Sequence, residues 1–378
     1  MRFPAKQLWF RAEDLLSDTL AAAHHRYAIV VGRHWLRHKH QLRGRACHCP
    51  PGQPLHLVHS EGLREGADVV VDYGANVRCQ GRMQLPVPEL ARIAGEIGRG
   101  DIVHVKSELI GPFVQHVLPG IAGPIVLVTG DSDYGPVGPF RYLLDDARIA
   151  HWFAQNCDVV FRHPKLTRIP IGIDNPRYTK LEKRIGFFIE MMLGKSPLDP
   201  SVSRNDVGDQ ALLQKIAAAA RGDARTRPLR ALCTFHMNQK LVPNFEAVPE
   251  RKEAYEILKD NPCCHFVPSR LLQSECWRIH ADFAFEVSPR GKGLDCFRTW
   301  EALFLGTIPI VKTSTLDPLY VDEDFPVAVV ESYREITPDN LTRWRHSLAE
   351  KLAPGMIRRL TNDYWLDRIR AAAHRCAG

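Results

Sequence analysis

Short apolar runs alternate along the chain with longer amphipathic stretches, the pattern of parallel strands joined by helices. Tyr27 to Gly32 (YAIVVG) reads as a buried strand after the amphipathic stretch Leu8 to His24. Asp68 to Tyr73, Ile102 to Lys106 and Pro124 to Thr129 are further runs of strand length, and Val87 to Ile97 and Leu109 to Leu118 between them have helical spacing. From Ala150, the run HWFAQN reads as a helix end, followed by strands near Asp158 to Phe161 and Thr167 to Ile171. Right-handed crossovers then build one parallel sheet.

Beyond Pro176 the pattern changes. Leu181 to Leu193 is helix-like, Gly194 to Asp209 is polar, and Gln210 to Arg221 is an alanine-rich helix, so the domain connection is placed here. A second series follows: strand Arg230 to Phe235, helix Glu250 to Lys259, strand His265 to Val267 and helix Leu271 to His280. After it come strands Phe283 to Val287, Thr307 to Lys312 and Val327 to Val330, with Thr337 to Leu352 and Gly355 to Cys376 as closing helices. Pro309 inside a strand calls for a free or bulged N–H side.

Phe283 to Lys312, FAFEVSPRGKGLDCFRTWEALFLGTIPIVK, is the most informative stretch. A strand leads into Ser288 to Gly293, a turn rich in glycine and cationic side chains and suited to an anion. Asp295 is an N-cap candidate, the helix runs from Cys296 to Leu305, and Gly306 falls where a left-handed cap is expected. Asp295, Arg298 and Glu301 share one helix face, while Phe297, Trp300 and Phe304 mark an apolar face expected to turn to the sheet. Backbone N–H groups at a helix start attract anions and arginine grips phosphate in bidentate fashion, so the pattern points to a nucleotide diphosphate. The plainer alternative is an Arg298–Glu301 surface pair on an ordinary helix.

The run SPRGKGLDCFRTWEALFLGTIPIVK resembles the C-terminal signature of exostosin-type glycosyltransferases, with a weaker likeness to α-1,3-fucosyltransferases. The likeness covers about Phe283 to Tyr320, with a looser echo around Trp152 to Asp174. It implies an α/β protein of the GT-B fold: two Rossmann-like domains with parallel sheets facing across a cleft and a C-terminal helix crossing back. The boundaries expected are 1–200 for an acceptor domain, 225–340 for a nucleotide-sugar-binding domain and 341–378 for C-terminal helices. The resemblance also implies that Arg290, Gly291, Lys292, Gly293, Asp295, Arg298 and Glu301 hold a UDP- or GDP-linked sugar, with Glu301 at the ribose. Lys240, in the loop after the strand opening the second domain, is either a phosphate contact or a solvated lysine. Transfer to a glycan acceptor in polysaccharide assembly is the implied reaction, inverting, and without a metal or other cofactor.

An inverting transfer needs a base near the acceptor hydroxyl. Asp72, Ser107 and Asp131 fall just beyond strand carboxyl ends, the edge where open α/β sheets bind ligands. Asp131, in IVLVTGDSDYG, is the first choice and Asp133 the reserve; His104, mid-strand, is expected to pack. Asp131 as a plain turn cap is the competing reading.

Composition narrows the classes. The 378 residues suit about two domains, and 45% hydrophobic with 25% charged content suits a folded globular chain. A formal charge of +7 favours acidic ligands such as nucleotide sugars or anionic polysaccharide, with no tract characteristic of nucleic-acid binding. Ten cysteines at irregular spacing do not form a disulfide framework, and a reducing compartment is expected. Cys47, His48, Cys49, His56 and His59 form a cluster read either as a zinc site or as a basic loop near the acceptor. FFIEMML reads either as an interdomain packing helix or as a membrane-docking face. The N-terminus lacks a signal-peptide core, so a cytoplasmic enzyme, with or without peripheral membrane contact, is expected. Remaining alternatives are a non-catalytic carbohydrate- or polyanion-binding protein and a nicotinamide oxidoreductase, the latter weakened by the missing third glycine.

Overall fold

The computed structural model describes residues 56–72, 78–79, 82–83, 87–174, 210–220, 222–235, 249–267, 271 and 273–377. The first half opens with α1 (Ser60–Glu65), β1 (Val69–Val71), a small hairpin of β2 (Arg78–Cys79) and β3 (Arg82–Met83), and α2 (Val87–Ala94). It continues with β4 (Ile102–Lys106), β5 (Ile125–Gly130), β6 (Ile149–Ala154) and β7 (Leu166–Arg168), with short helical turns over 107–120 between β4 and β5. The second half comprises α3 (Gln210–Ala219), β8 (Ala231–Cys233), α4 (Pro249–Leu258), β9 (Cys264–Phe266), α5 (Gln273–His280) and β10 (Phe285–Val287). Then come α6 (Phe297–Phe304), β11 (Ile308–Lys312), α7 (Asp317–Asp322), β12 (Ala328–Val330), α8 (Pro338–Leu348), α9 (Pro354–Arg359) and α10 (Asn362–Ala377).

Among the described residues, each half forms a five-stranded, all-parallel sheet. The first runs β1-β4-β5-β6-β7, in chain order among the described residues. The second runs β12-β11-β10-β8-β9, so the order reverses between β8 and β10. At such a reversal the crossovers leave in opposite directions and open a crevice at the strand carboxyl ends. The donor loop predicted from the sequence leaves β10 at that point.

Parallel sheets are covered on both faces, and β5 shows how this is met. Ile125 and Leu127 enter the core with the α2 side, while Val126 and Val128 face α10. α10, from the end of the chain, packs on β4, β5, β6 and α1, which is the expected crossing back. Its Trp365, Leu366 and Ile369 share one core with Ile169, Ile171 and Ile173 of the first half and with Trp300, Tyr320 and Phe325 of the second. Gly172 is needed where the chain passes this junction: its φ is +72° and an added Cβ would lie 1.8 Å from the Val58 carbonyl oxygen. The fold is thus α/β, two Rossmann-like domains meeting at the carboxyl edges of their sheets.

Two expectations need correction. The HWFAQN run is β6, because Trp152 and Ala154 bury into a sheet core and not onto a helix face. Asp158 to Phe161 is not a strand; Val160 and Phe161 stand exposed. The apolar face of α6 turns to the sheet as expected, Trp300 sharing a core with Val311 of β11, and it also packs edge-on to Phe325, centroids 5.2 Å apart, where the domains join. Pro309 sits in an interior strand. Ile308 donates to Ala284 on the β10 side, so by alternation the Pro309 nitrogen faces β12, whose pairing starts only at Ile310. Leu8 to Gly32, Cys47 to Cys49, the FFIEMML run and Lys240 lie outside the described residues. Among those described, no helix is long and apolar enough to cross a membrane.

Candidate active site

The loop after β10 is anchored at both ends. The Ser288 N–H donates to the Ile310 carbonyl, and its hydroxyl meets Thr299 Oγ1 at 3.0 Å, fastening the loop to β11 and α6. Cys296, in extended conformation, is the N-cap of α6, and Gly306 closes the far end at φ +74°. Arg290 lies at the loop's outer edge. Its N–H donates to Glu250 Oε1 at 3.0 Å, and its half-exposed guanidinium pairs with Glu250 Oε2 at 3.3 Å. Arg251 of α4 donates to the Arg290 carbonyl at 3.2 Å and flanks Gly291, where a Cβ would come within 3.2 Å of its guanidinium. Lys292 is exposed.

Arg298 projects from the first turn of α6 over the reversal between β8 and β10. Its Nε donates to Thr234 Oγ1 at 3.1 Å and lies 3.4 Å from Glu286 Oε1, while the Thr234 hydroxyl donates to the same Glu286 oxygen at 2.6 Å. Burial works against its charge, but Cys296, Glu286 and Glu301 outweigh it and hold the guanidinium above its ordinary pKa. Burial also lowers the pKa of Arg251, helped by the like charge of Arg298. Two cations therefore converge where α6 begins, and the helix dipole adds to them.

Glu286 is fully buried in β10, and burial pushes its carboxyl up to about 8 against the pull of Arg298 and Thr234. His280 Nε2 lies 3.4 Å from Glu286 Oε2, but burial, Arg298 and Arg227 hold the imidazole down at about 3. That contact is accordingly not an ion pair.

The remaining donor-side candidates turn inward. Asp295 is 4% exposed, and its carboxylate accepts from Ile171 N–H at 2.9 Å, Cys296 N–H at 2.8 Å and the Trp300 indole at 2.9 Å. Burial raises it to about 6 despite these bonds. Its carboxylate serves the contact between domains. Glu301 is also buried, accepts from Gln273 Nε2 at 2.7 Å, and is lifted to about 7 by burial, with Asp174 adding to the rise.

On the facing domain, Asp131 and Asn156 follow β5 and β6 with φ of +53° and +46°. Non-glycine residues rarely adopt that backbone, Asp and Asn most readily. Gln155 Oε1 accepts from Asp131 N–H at 2.9 Å and from the Ser60 hydroxyl at 3.0 Å. The Asp131 carboxylate lies 3.3 Å from Lys106 Nζ and 3.5 Å from Arg64, which also bonds Asp72 at 3.0 Å. Lys106 donates to the Asp131 carbonyl as well. Asp133 is exposed, and no hydrogen bond or ion pair engages its carboxylate among the described residues. His104 is buried, and burial holds it at about 3, as expected of a packed histidine.

The two loops meet. An added Cβ on Gly293 would lie 3.0 Å from Asn156 Oδ1 and 3.2 Å from the Asp133 Cα, so the donor loop approaches the Asp131–Asp133 turn as closely as backbone allows. Asn156, Gln155, Thr234, Arg251 and Glu286 were not singled out from the sequence; a lone carboxylate in the apolar run FAFEV was the available signal for Glu286. His59, from the histidine cluster, caps α1 by accepting from Gly62 N–H at 3.1 Å. Among the described residues no group of His, Cys, Asp or Glu is arranged to hold a metal ion.

No family model and no curated protein matches the sequence. Similar solved structures include a variant of the wall teichoic acid polymerase TagF, at 10% identity over 84% of this chain and 91% of that one, with a TM-score of 0.23. Another is an alpha-glucosyltransferase in complex with UDP, at 13% identity over 77% and 79% of the two chains, with a TM-score of 0.26. At those values the likeness carries no argument, and the fold rests on the strand orders and domain contacts described above.

Proposed function

We propose that the chain is a nucleotide-sugar-dependent glycosyltransferase, exostosin-like in its donor loop. The observation that carries this reading is the meeting of Gly293 with Asp133: a cationic loop and helix start at the reversal of one sheet face an acidic turn at the carboxyl edge of the other. A donor diphosphate would lie along Arg290 to Gly293 and the start of α6, with Arg298 gripping phosphate oxygens and Arg251 adding charge. Glu301, which accepts from Gln273 through Oε2, would meet the ribose hydroxyls with its remaining acceptor positions.

An acceptor hydroxyl entering beside the turn loses its proton to a carboxylate as it attacks the anomeric carbon, and the nucleotide diphosphate leaves. Asp133 is the better placed of the two aspartates, because it adjoins Gly293 and its carboxylate has no partner among the described residues, whereas Asp131 is held by Lys106 and Arg64. Negative charge developing on the leaving diphosphate is met by Arg298, Arg290, Lys292 and the loop N–H groups, a role that cationic side chains fill without a metal.

The test is a thermal-shift panel of UDP, GDP and their sugar conjugates, followed by assay of donor turnover with and without glycan acceptors. A ligand that binds the native state raises its stability, so saturable stabilisation by one nucleotide class is expected. Binding without turnover would favour the non-catalytic carbohydrate-binding alternative, and no nucleotide response would overturn the reading.

A further inference from the structure

Away from the cleft, α10 and the opposite edge of the first sheet border an open pocket of about 330 Å³, whose lining includes Arg99, Pro124, His151, Ala372, Arg375 and Cys376. Pro124 precedes β5 and His151 lies early in β6, which places the cavity at the amino-terminal edge, remote from the Asp131 turn. Among the described residues, no carboxylate lines it. Arg99 and Arg375 are exposed, and neither has a hydrogen bond or ion pair among the described residues.

The cations act together on this space. Burial, then Arg375, Arg368 and His163, hold the His151 imidazole down at about 4, so the ring is neutral near pH 7 and its Nε2 meets Thr167 Oγ1 at 2.8 Å. Burial raises the pKa of the Cys376 thiol, Arg375 and Arg99 pull against that rise, and the thiol donates to the Ala372 carbonyl at 3.0 Å. Arg368 is matched by Glu323 outside the cavity, which leaves the charge of Arg99 and Arg375 unbalanced. Planar guanidinium groups pair with phosphoryl oxygens in bidentate fashion.

We propose that this cavity binds a small phosphomonoester, its phosphoryl group held between Arg99 and Arg375 and its organic part against Ala372 and Cys376. The volume is at the lower end for small-molecule sites and leaves room beyond the phosphoryl group. Since α10 belongs to the second half of the chain and covers the first sheet, occupancy fastens α10 to the Arg99 turn ahead of β4, on the side opposite the cleft.

Glycerol 3-phosphate titrated against the full chain, with sodium chloride at matched ionic strength as control, tests the site. Saturable binding is expected, weakened at least about tenfold by Arg99→Gln or Arg375→Gln and unchanged in Arg298→Ala, which separates it from the cleft. In the unmodified chain, saturation should also slow alkylation of Cys376 by iodoacetamide, read by peptide mass, so the result does not depend on how the variants fold. Failure to saturate, unchanged affinity in both arginine variants, or no protection of Cys376 overturns the proposal. Equal affinity for inorganic phosphate would overturn the organic part of it.

Discussion

The Asp295 N–H donates to Asn156 Oδ1 at 2.7 Å, joining the donor loop of one domain to the carboxyl edge of the other. The same Asn156 amide donates to the Ser132 carbonyl at 2.7 Å, so one buried side chain holds both loops at once. Asn156 holds this place with a left-handed backbone, φ +46°, which asparagine adopts more readily than most residues.

Asn156→Ala leaves the Asp295 N–H and the Ser132 carbonyl without their partner. The expected loss of stability is about 1–3 kcal/mol, the usual cost of stranding buried polar groups. Denaturant unfolding measures it directly, and an unchanged midpoint would mean that other contacts hold the loops.

Arg298→Ala should weaken nucleotide diphosphate binding more than Arg290→Ala does. Arg298 is oriented by Thr234 and Glu286 at the sheet reversal, whereas the half-exposed Arg290 is already matched by Glu250. A charge-assisted bond is worth roughly 1.5–3 kcal/mol, so calorimetry should show a loss above tenfold for Arg298→Ala. The reverse ranking would move the diphosphate to the outer edge of the loop.

Asp133→Asn and Asp131→Asn separate the base from its neighbour. Loss of a general base removes roughly 10²–10⁴ of rate, so Asp133→Asn should lose turnover while donor affinity stays intact. Asp131→Asn gives up partly exposed ion pairs with Lys106 and Arg64, worth about 1 kcal/mol or less, and should show the smaller kinetic effect. Steady-state assays of the two variants decide, and near-normal turnover by Asp133→Asn rejects it as the base.

Glu286 makes stability depend on pH. Its folded-state pKa of about 8 lies above the ordinary 4.5, so the folded chain keeps a proton that the unfolded chain releases between those values. The contribution is fully present below the unfolded value and is lost as pH rises through the folded one. Glu286→Gln removes this dependence, so its stability relative to the parent should climb across the window and level off above it. Denaturation at about pH 5, 7 and 9 tests this, and a constant difference would mean that Glu286 stays ionised.

Much of the fold was legible because apolar runs and helical spacing report burial directly. β4, β5, β8, β10 and β11 lie within a residue or two of their expected places. The His151–Asn156 run misled because strand and helix both bury Trp152, Phe153 and Ala154 when both faces of a sheet are covered. At the site, Gly293 and Arg298 could be read from the loop composition. Asn156 and Glu286 could not, since their importance comes from partners 139 and 52 positions away in the chain. Asp295 illustrates the limit: its place before α6 suggested a cap or ligand, and only the approach of Ile171 from the other domain shows what its carboxylate holds.

The crossing of α10 also orders events during synthesis. Val126, Val128 and Phe153 are translated long before Trp365 and Ile369, the residues that cover them. Until α10 has left the ribosome, the part of the first sheet that it covers lacks that cover, and exposed apolar surface of that kind is what chaperones bind and aggregates grow from. The core of the first sheet therefore waits on a helix that follows the second, and a product stalled before α10 would leave Val126, Val128 and Phe153 without Trp365 and Ile369.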